Sequence, residues 1–102
     1  MIEKIREVIG GQRYEYTLHA VDQSILRHIT RREIEEAIES GETIEDYPND
    51  KYGPSCLIHG ITGIGRHLHI HCSYSKRLKV KIITLYEPDS RERIDYKERR
   101  SL

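Results

Sequence analysis

Residues 55–73 read S-C-L-I-H-G-I-T-G-I-G-R-H-L-H-I-H-C-S, two strand-forming runs joined by Gly63-Ile64-Gly65, and this hairpin constrains the chain more than any other segment. A three-residue loop with Gly65 in the left-handed position suits the joint. If Thr62 faces Arg66, Gly60 meets Leu68, Ile58 meets Ile70 and Cys56 meets Cys72, which makes one apolar face. Because side chains alternate across a sheet, the other face pairs Ile61 with His67, His59 with His69, Leu57 with His71 and Ser55 with Ser73. A slip by one residue would mix the two sets, so the clean separation favours this register. The expected product is an antiparallel sheet with an exposed, histidine-rich side. Cys56 and Cys72 then oppose each other with Cα atoms about 4.5–5.5 Å apart. A disulfide is conceivable there, but buried thiols are expected in a reducing compartment.

The rest of the chain supplies helices and further strands. Ile2, Ile5 and Ile9 share one side of an N-terminal helix over residues 1–11, stopped by Gly10-Gly11. Tyr14 to Leu18 alternates as a strand, and Val21, Ile25 and Leu26 suit a helix from Ala20 to His28. Thr30 and Glu33 form a capping box for another helix ending near Ser40, with Ile34, Ala37 and Ile38 as its buried stripe and Gly41 as a left-handed stop. Strands are expected over Thr43–Tyr47, Ser55–Thr62, Arg66–Tyr74 and Lys79–Tyr86. Pro88 ends the last one, and the charged tail 90–102 reads as a surface helix or partly disordered. The fold class is α+β, a single domain of short N-terminal helices on a curved, mainly antiparallel sheet of four to five strands.

At 102 residues there is room for one core. All seven aromatics are Tyr, so the largest interior side chains carry hydroxyls that need partners. The net charge of zero argues against nucleic-acid binding through bulk charge. The halves differ, however: Met1–Thr62 holds 7 Lys+Arg and 12 Asp+Glu, a net of −5, and Gly63–Leu102 holds 10 and 5, a net of +5. The C-terminal half can therefore offer a basic face to phosphate. Without a membrane-spanning apolar run or a signal-peptide layout, a cytoplasmic protein is expected.

The histidines allow three readings. His59, His67, His69 and His71 share one side, and an H-x-H pair can converge on zinc, though the three on one strand span about 13 Å, too far for one ion. They can equally be a solvated polar face. The third reading is acid–base catalysis, for which imidazole is suited near neutrality. Arg66 opens the same strand and His19 ends the first, and arginine beside histidine suits phosphoryl chemistry.

Several motifs add a resemblance: T-L-H-A (17–20), R-H-I-T (27–30), I-E-D-Y-P (44–48), Y-G-P-S-C-L (52–57), G-R-H-L-H (65–69), I-T-L-Y-E-P-D (83–89) and E-R-R (98–100). This ordered set, spanning Tyr14 to Arg100, resembles the bacterial family catalogued as domain of unknown function four-two-five-eight, itself similar to the RelE/ParE-type toxin superfamily. The resemblance implies a toxin-like, metal-independent endoribonuclease with the 2′-hydroxyl as nucleophile, no cofactor, and a cognate antitoxin, a small zinc-finger protein. It also implies five site residues: His19, Arg27, Arg66, His69 and Tyr86. In that scheme His69 or His19 is the general base or acid, Arg27 and Arg66 hold the phosphate, and Tyr86 positions the nucleotide or shuttles a proton. Gln23 stands where the family often has arginine, His28 where it has glycine, and His67 where it has proline. The superfamily also contains non-nucleolytic toxins, so a non-catalytic protein-binding module is the competing class and a metal-binding protein the third. The nuclease scheme requires His69 on the uncovered side of the sheet, close to Arg66 and His19.

Overall fold

Thr30 starts a helix as its capping box requires: its hydroxyl accepts from the Glu33 amide and the Glu33 carboxylate accepts from the Thr30 amide. The computed structural model describes residues 2–11, 14–50, 53–74 and 80–88, with the backbone of 93–94 and 98–99. In chain order these give α1 (Ile2–Gly10), β1 (Tyr14–Tyr16), α2 (Leu18–Leu26), α3 (Arg31–Ser40), β2 (Glu42–Tyr47), β3 (Ser55–Ile61), β4 (His67–Tyr74) and β5 (Val80–Tyr86). The chain is α+β. The main sheet has the order β1-β5-β4-β3-β2, with β1 parallel to β5 and every other pairing antiparallel.

The β3–β4 register is the expected one at every position from Ser55↔Ser73 to Ile61↔His67. Gly65 turns the hairpin at φ 85°. The apolar side of this sheet receives the helices. Ile5, Val8 and Ile9 of α1 and Ile34, Ala37 and Ile38 of α3 bury against Ile58, Leu68, Ile70, Ile82 and Leu85. Each such aliphatic side chain contributes about 1.5–3 kcal/mol relative to exposure. Cys56 and Cys72 lie in the same core as free thiols with Sγ atoms 3.9 Å apart.

Helix α3 rests directly on the backbone of β3. A Cβ on Gly60 would stand 1.7 Å from the Ala37 carbonyl oxygen, so only glycine permits this approach. Gly41 corrects an expectation in the same way. It is not left-handed but extended (φ −83°, ψ 170°), and a Cβ there would stand 2.6 Å from both the Ala37 oxygen and Ile58 Cγ2. Close packing, not backbone handedness, requires glycine at this position. The left-handed residue near the helices is His28, at φ 53°.

Strand β5 changes phase. Tyr86, Leu85 and Thr84 pair with His69, Ile70 and His71, but Cys72 pairs with Ile82, so Ile83 is an extra, bulged residue. The bulge lets Val80, Ile82 and Leu85 all reach the core while Thr84 and Tyr86 join the histidine side. Thr17 fastens α2 there, its hydroxyl donating to the Ile83 carbonyl at 2.8 Å and accepting from the Ala20 amide.

In the tail, where a helix or disorder was expected, residues 93–94 and 98–99 pair as a two-stranded antiparallel sheet, β6 (Arg93–Ile94) and β7 (Glu98–Arg99). Lys79, expected to open the last strand, and the rest of the tail lie outside the described residues.

Candidate functional site

The four strand histidines do share one side of the sheet, but that side is not an exposed imidazole surface. His69 has no exposed area and His59 is 5% exposed, while His67 and His71 are half-buried. His59, His67 and His69 contact one another. His59 Nε2 and His67 Nδ1 are 2.9 Å apart with stacked rings, the His69 ring meets His59 edge to face at 5.6 Å, and His69 Nδ1 lies 3.3 Å from the Tyr86 hydroxyl. Among the described residues, no three His, Cys, Asp or Glu side chains are placed to share one metal ion.

The five sequence-derived site residues divide between two sides of the sheet. His69 and Tyr86 stand together on the histidine side. Arg66, one residue before His67, points the other way, into the junction of α2 and α3. It donates to the carbonyls of Arg27 (2.7 Å) and His28 (2.9 Å) and pairs with Glu33 (3.0 Å) and Glu87 (2.7 Å). Glu87 and Glu33 raise its pKa further, and Glu33 is held below the ordinary carboxylate value, first by the Thr30 amide and then by Arg66. A guanidinium so occupied is a structural clamp, and a phosphate could take it only by breaking those bonds. Arg27 caps the end of α2 with its side chain exposed on Gln23, 2.9 Å away. His19 is exposed in the first turn of α2. The expected joint centre is therefore not assembled: the arginines and His19 belong to the helix side, and His69, sealed from solvent, cannot touch a substrate.

What the histidine side does build is a cleft of about 600 Å³, lined by residues that include Tyr47, Asp50, Leu57, His71, Thr84 and Tyr86. A volume in this range suits a small-molecule or nucleotide-sized ligand. Two hydrogen bonds define the state of His71. Ser55 Oγ spends its one proton on Asp50 Oδ2 (2.8 Å), so the imidazole must donate Nε2–H to Ser55 Oγ (2.9 Å). Neutral His71 then carries its free lone pair on Nδ1. Burial lowers its pKa from the ordinary 6.5, partly opposed by Asp50 and Glu45. Tyr47 stacks edge to face on the His71 ring at 5.9 Å and donates to Glu45.

Sequence reasoning put His71 on the histidine face but named only Tyr86 and His69 of this region among the five site residues, and it gave Ser55, Asp50 and Tyr47 no role in the site. The register already placed Ser55 diagonally across from His71. Asp50, on the loop leading to β3, had no local signal.

A protein-family model for a domain of unknown function, DUF4258, matches residues 16–87, well over half of the chain. The chain belongs to the DUF4258 family. The matched segment runs from the end of β1 through β5, so it contains α2, α3, the hairpin and the cleft. No curated protein and no solved structure matches the chain. No helix among the described residues is long and apolar enough to cross a membrane.

Proposed function

We propose that this DUF4258 domain is a toxin-like, cytoplasmic ribonuclease that needs no metal and works in the cleft through His71 and Tyr86. The observation that carries the proposal is that a neutral imidazole, oriented by the Asp50–Ser55 pair, and a phenol backed by a buried histidine line the same cleft. His71 Nδ1 takes the proton of the 2′-hydroxyl as that oxygen attacks phosphorus, and Tyr86 gives its proton to the departing 5′-oxygen. The P–O2′ bond forms, the P–O5′ bond breaks, and the products are a 2′,3′-cyclic phosphate and a 5′-hydroxyl. Proton exchange with water resets both groups. His69 positions Tyr86 and does not touch RNA. The motif resemblance to RelE/ParE-type toxins supports the same reading, with a protein antitoxin, a small zinc-finger protein, as the regulatory partner.

The test is cleavage of single-stranded RNA in the presence of chelator. Each of His71→Gln and Tyr86→Phe should slow cleavage by about 10²-fold or more, the usual weight of one acid or base. No cleavage of any RNA by the folded wild-type chain would refute the proposal.

One observation favours the competing module. By strand alternation the cleft side carries Glu15, Glu42 and Glu45, with Asp50 at its rim, against Lys81 as the Lys or Arg of strands β1 to β5. Such a surface repels a polyanion and suits a basic protein segment. A chain that fails to bind single-stranded RNA even at about 50 mM salt, where phosphate contacts are strongest, fits the module.

A further inference from the structure

Neither the Arg66 clamp nor the cleft uses Cys56 and Cys72. The two face each other across β3 and β4 on the apolar side, closed to solvent, with Sγ atoms 3.9 Å apart. The Thr62 amide donates to the Arg66 carbonyl and the Tyr74 amide to the Pro54 carbonyl, and two-residue steps from either bond make Cys56–Cys72 a hydrogen-bonded pair of the ladder. Such a pair holds its Cα atoms about 5.5 Å apart, inside the range that a disulfide spans. The sulfurs need to approach by about 1.9 Å more, a shift that two side-chain rotations can share.

The two thiols are not equivalent. The Cys72 S–H holds Cys56 below its ordinary pKa, against burial and the Asp46 carboxylate, while the same bond and burial raise Cys72. On the Cys56 side, Thr43 of β2 shares the apolar face, and its hydroxyl is buried without a hydrogen-bond partner among the described residues, near enough to favour a Cys56 thiolate. A buried donor without an acceptor is costly, and a thiolate at Cys56 supplies the acceptor. We propose that Cys56 and Cys72 are a modification site for a small hydroperoxide, in which Cys56 is oxidised first and Cys72 closes a disulfide. The Cys56 sulfur attacks one peroxide oxygen, the O–O bond breaks, the alcohol leaves with the proton that Cys56 gave up, and a sulfenic acid remains. The Cys72 sulfur then displaces that hydroxyl, which departs as water with the Cys72 proton, and the S–S bond forms. Two thiols and one hydroperoxide become a disulfide, an alcohol and water, and a thiol reductant restores the dithiol. Local opening of the edge strand β2, bulged at Ile44, admits the oxidant. The proposal is independent of the reaction assigned to the cleft, which lies across the sheet.

The test treats the folded, reduced full chain with a small excess of hydrogen peroxide and maps its thiols by mass spectrometry. Trypsin parts the two cysteines into peptides 52–66 and 67–76, so a disulfide between them is read as one linked pair. A monomeric chain lighter by about 2 Da, with those peptides joined and released again by dithiothreitol, is expected. In the untreated chain, limiting iodoacetamide should label Cys56 about 10-fold faster than Cys72. Thr43→Val, which removes a hydroxyl without a partner, should keep the melting temperature and slow the labelling of Cys56 about 3-fold. Cys72→Ala should halt the reaction at a sulfenic acid on Cys56, trapped by dimedone; if that variant does not fold, the labelling ratio of the wild-type chain decides the order. The proposal is overturned by a folded chain whose thiols stay reduced while the urea-unfolded chain oxidises, by disulfides formed only between chains, by Cys72 labelled as fast as Cys56, or by Thr43→Val labelled like wild type.

Discussion

Arg66 and His69 are three residues apart and face opposite sides of one sheet. On the helix side, Arg66 is tied to two carbonyls and two carboxylates, Gly60 admits the backbone of α3, and aliphatic side chains fill the interior. On the other side, histidines and tyrosines bond to one another around a cleft. The difference teaches that a motif such as G-R-H-L-H mixes two jobs. Residues adjacent in sequence diverge across a strand, so the arginine holds the fold together while the histidine side lines the cleft.

Substitutions can break this division, starting with the largest effect. Gly60→Ala forces a Cβ into the Ala37 carbonyl and should cost about 3 kcal/mol or more, read by urea denaturation. Ser73→Ala, on the opposite side of the same hairpin, should change stability by less than about 0.5 kcal/mol, as half-buried polar positions outside a bond network do. Arg66→Met leaves Glu33 and two carbonyls without their donor and should cost about 2 kcal/mol, less than a fully buried pair because Glu87 is half exposed. If Arg66→Met proved neutral, the clamp would be an ordinary surface contact.

His28→Gly should raise stability by about 1 kcal/mol, since the left-handed backbone at φ 53° strains any residue with a Cβ. The smallest effects are pH-dependent. Glu33 has a lowered pKa in the folded state, so its contribution is complete above the ordinary carboxylate value of 4.5 and is lost as pH falls through the folded value. Glu33→Gln should flatten the acid limb of a stability profile. His71 is also lowered, so the folded state resists protonation and loses stability as pH falls below 6.5. The same shift predicts that cleavage persists as pH drops through 6.5 and declines only beneath it.

Much of the architecture was legible because it rests on local rules. The hairpin register followed from two-residue alternation around Gly63–Gly65, and the start of α3 from Thr30 and Glu33. The β5 bulge was readable in hindsight: Val80 and Ile82 keep one phase, and Leu85 breaks it by one residue, which moves Tyr86 beside His69. Gly41 was misassigned because sequence marks the need for glycine without telling close approach from positive φ. The site was less legible. Strand parity separated Arg66 from His69 from the start, but their nearness along one strand and then the motif resemblance joined them, and burial of His69 depends on contacts distant in sequence. Strand alternation set Ser55 beside His71, but Asp50, which accepts from the Ser55 hydroxyl, lies outside the strands where no periodicity encodes its approach.

The division between the two sides of the sheet is tested most directly by measuring RNA cleavage and folding stability together for Arg66→Met and Tyr86→Phe. Arg66→Met, assayed at a temperature where it remains folded, should cleave at the wild-type rate despite its lower melting temperature. Tyr86→Phe loses the hydrogen bond to His69, about 1 kcal/mol, and should fold normally yet cleave about 10²-fold more slowly. The reverse pattern, with cleavage lost in folded Arg66→Met and retained in Tyr86→Phe, would place the chemistry on the helix side and contradict the account.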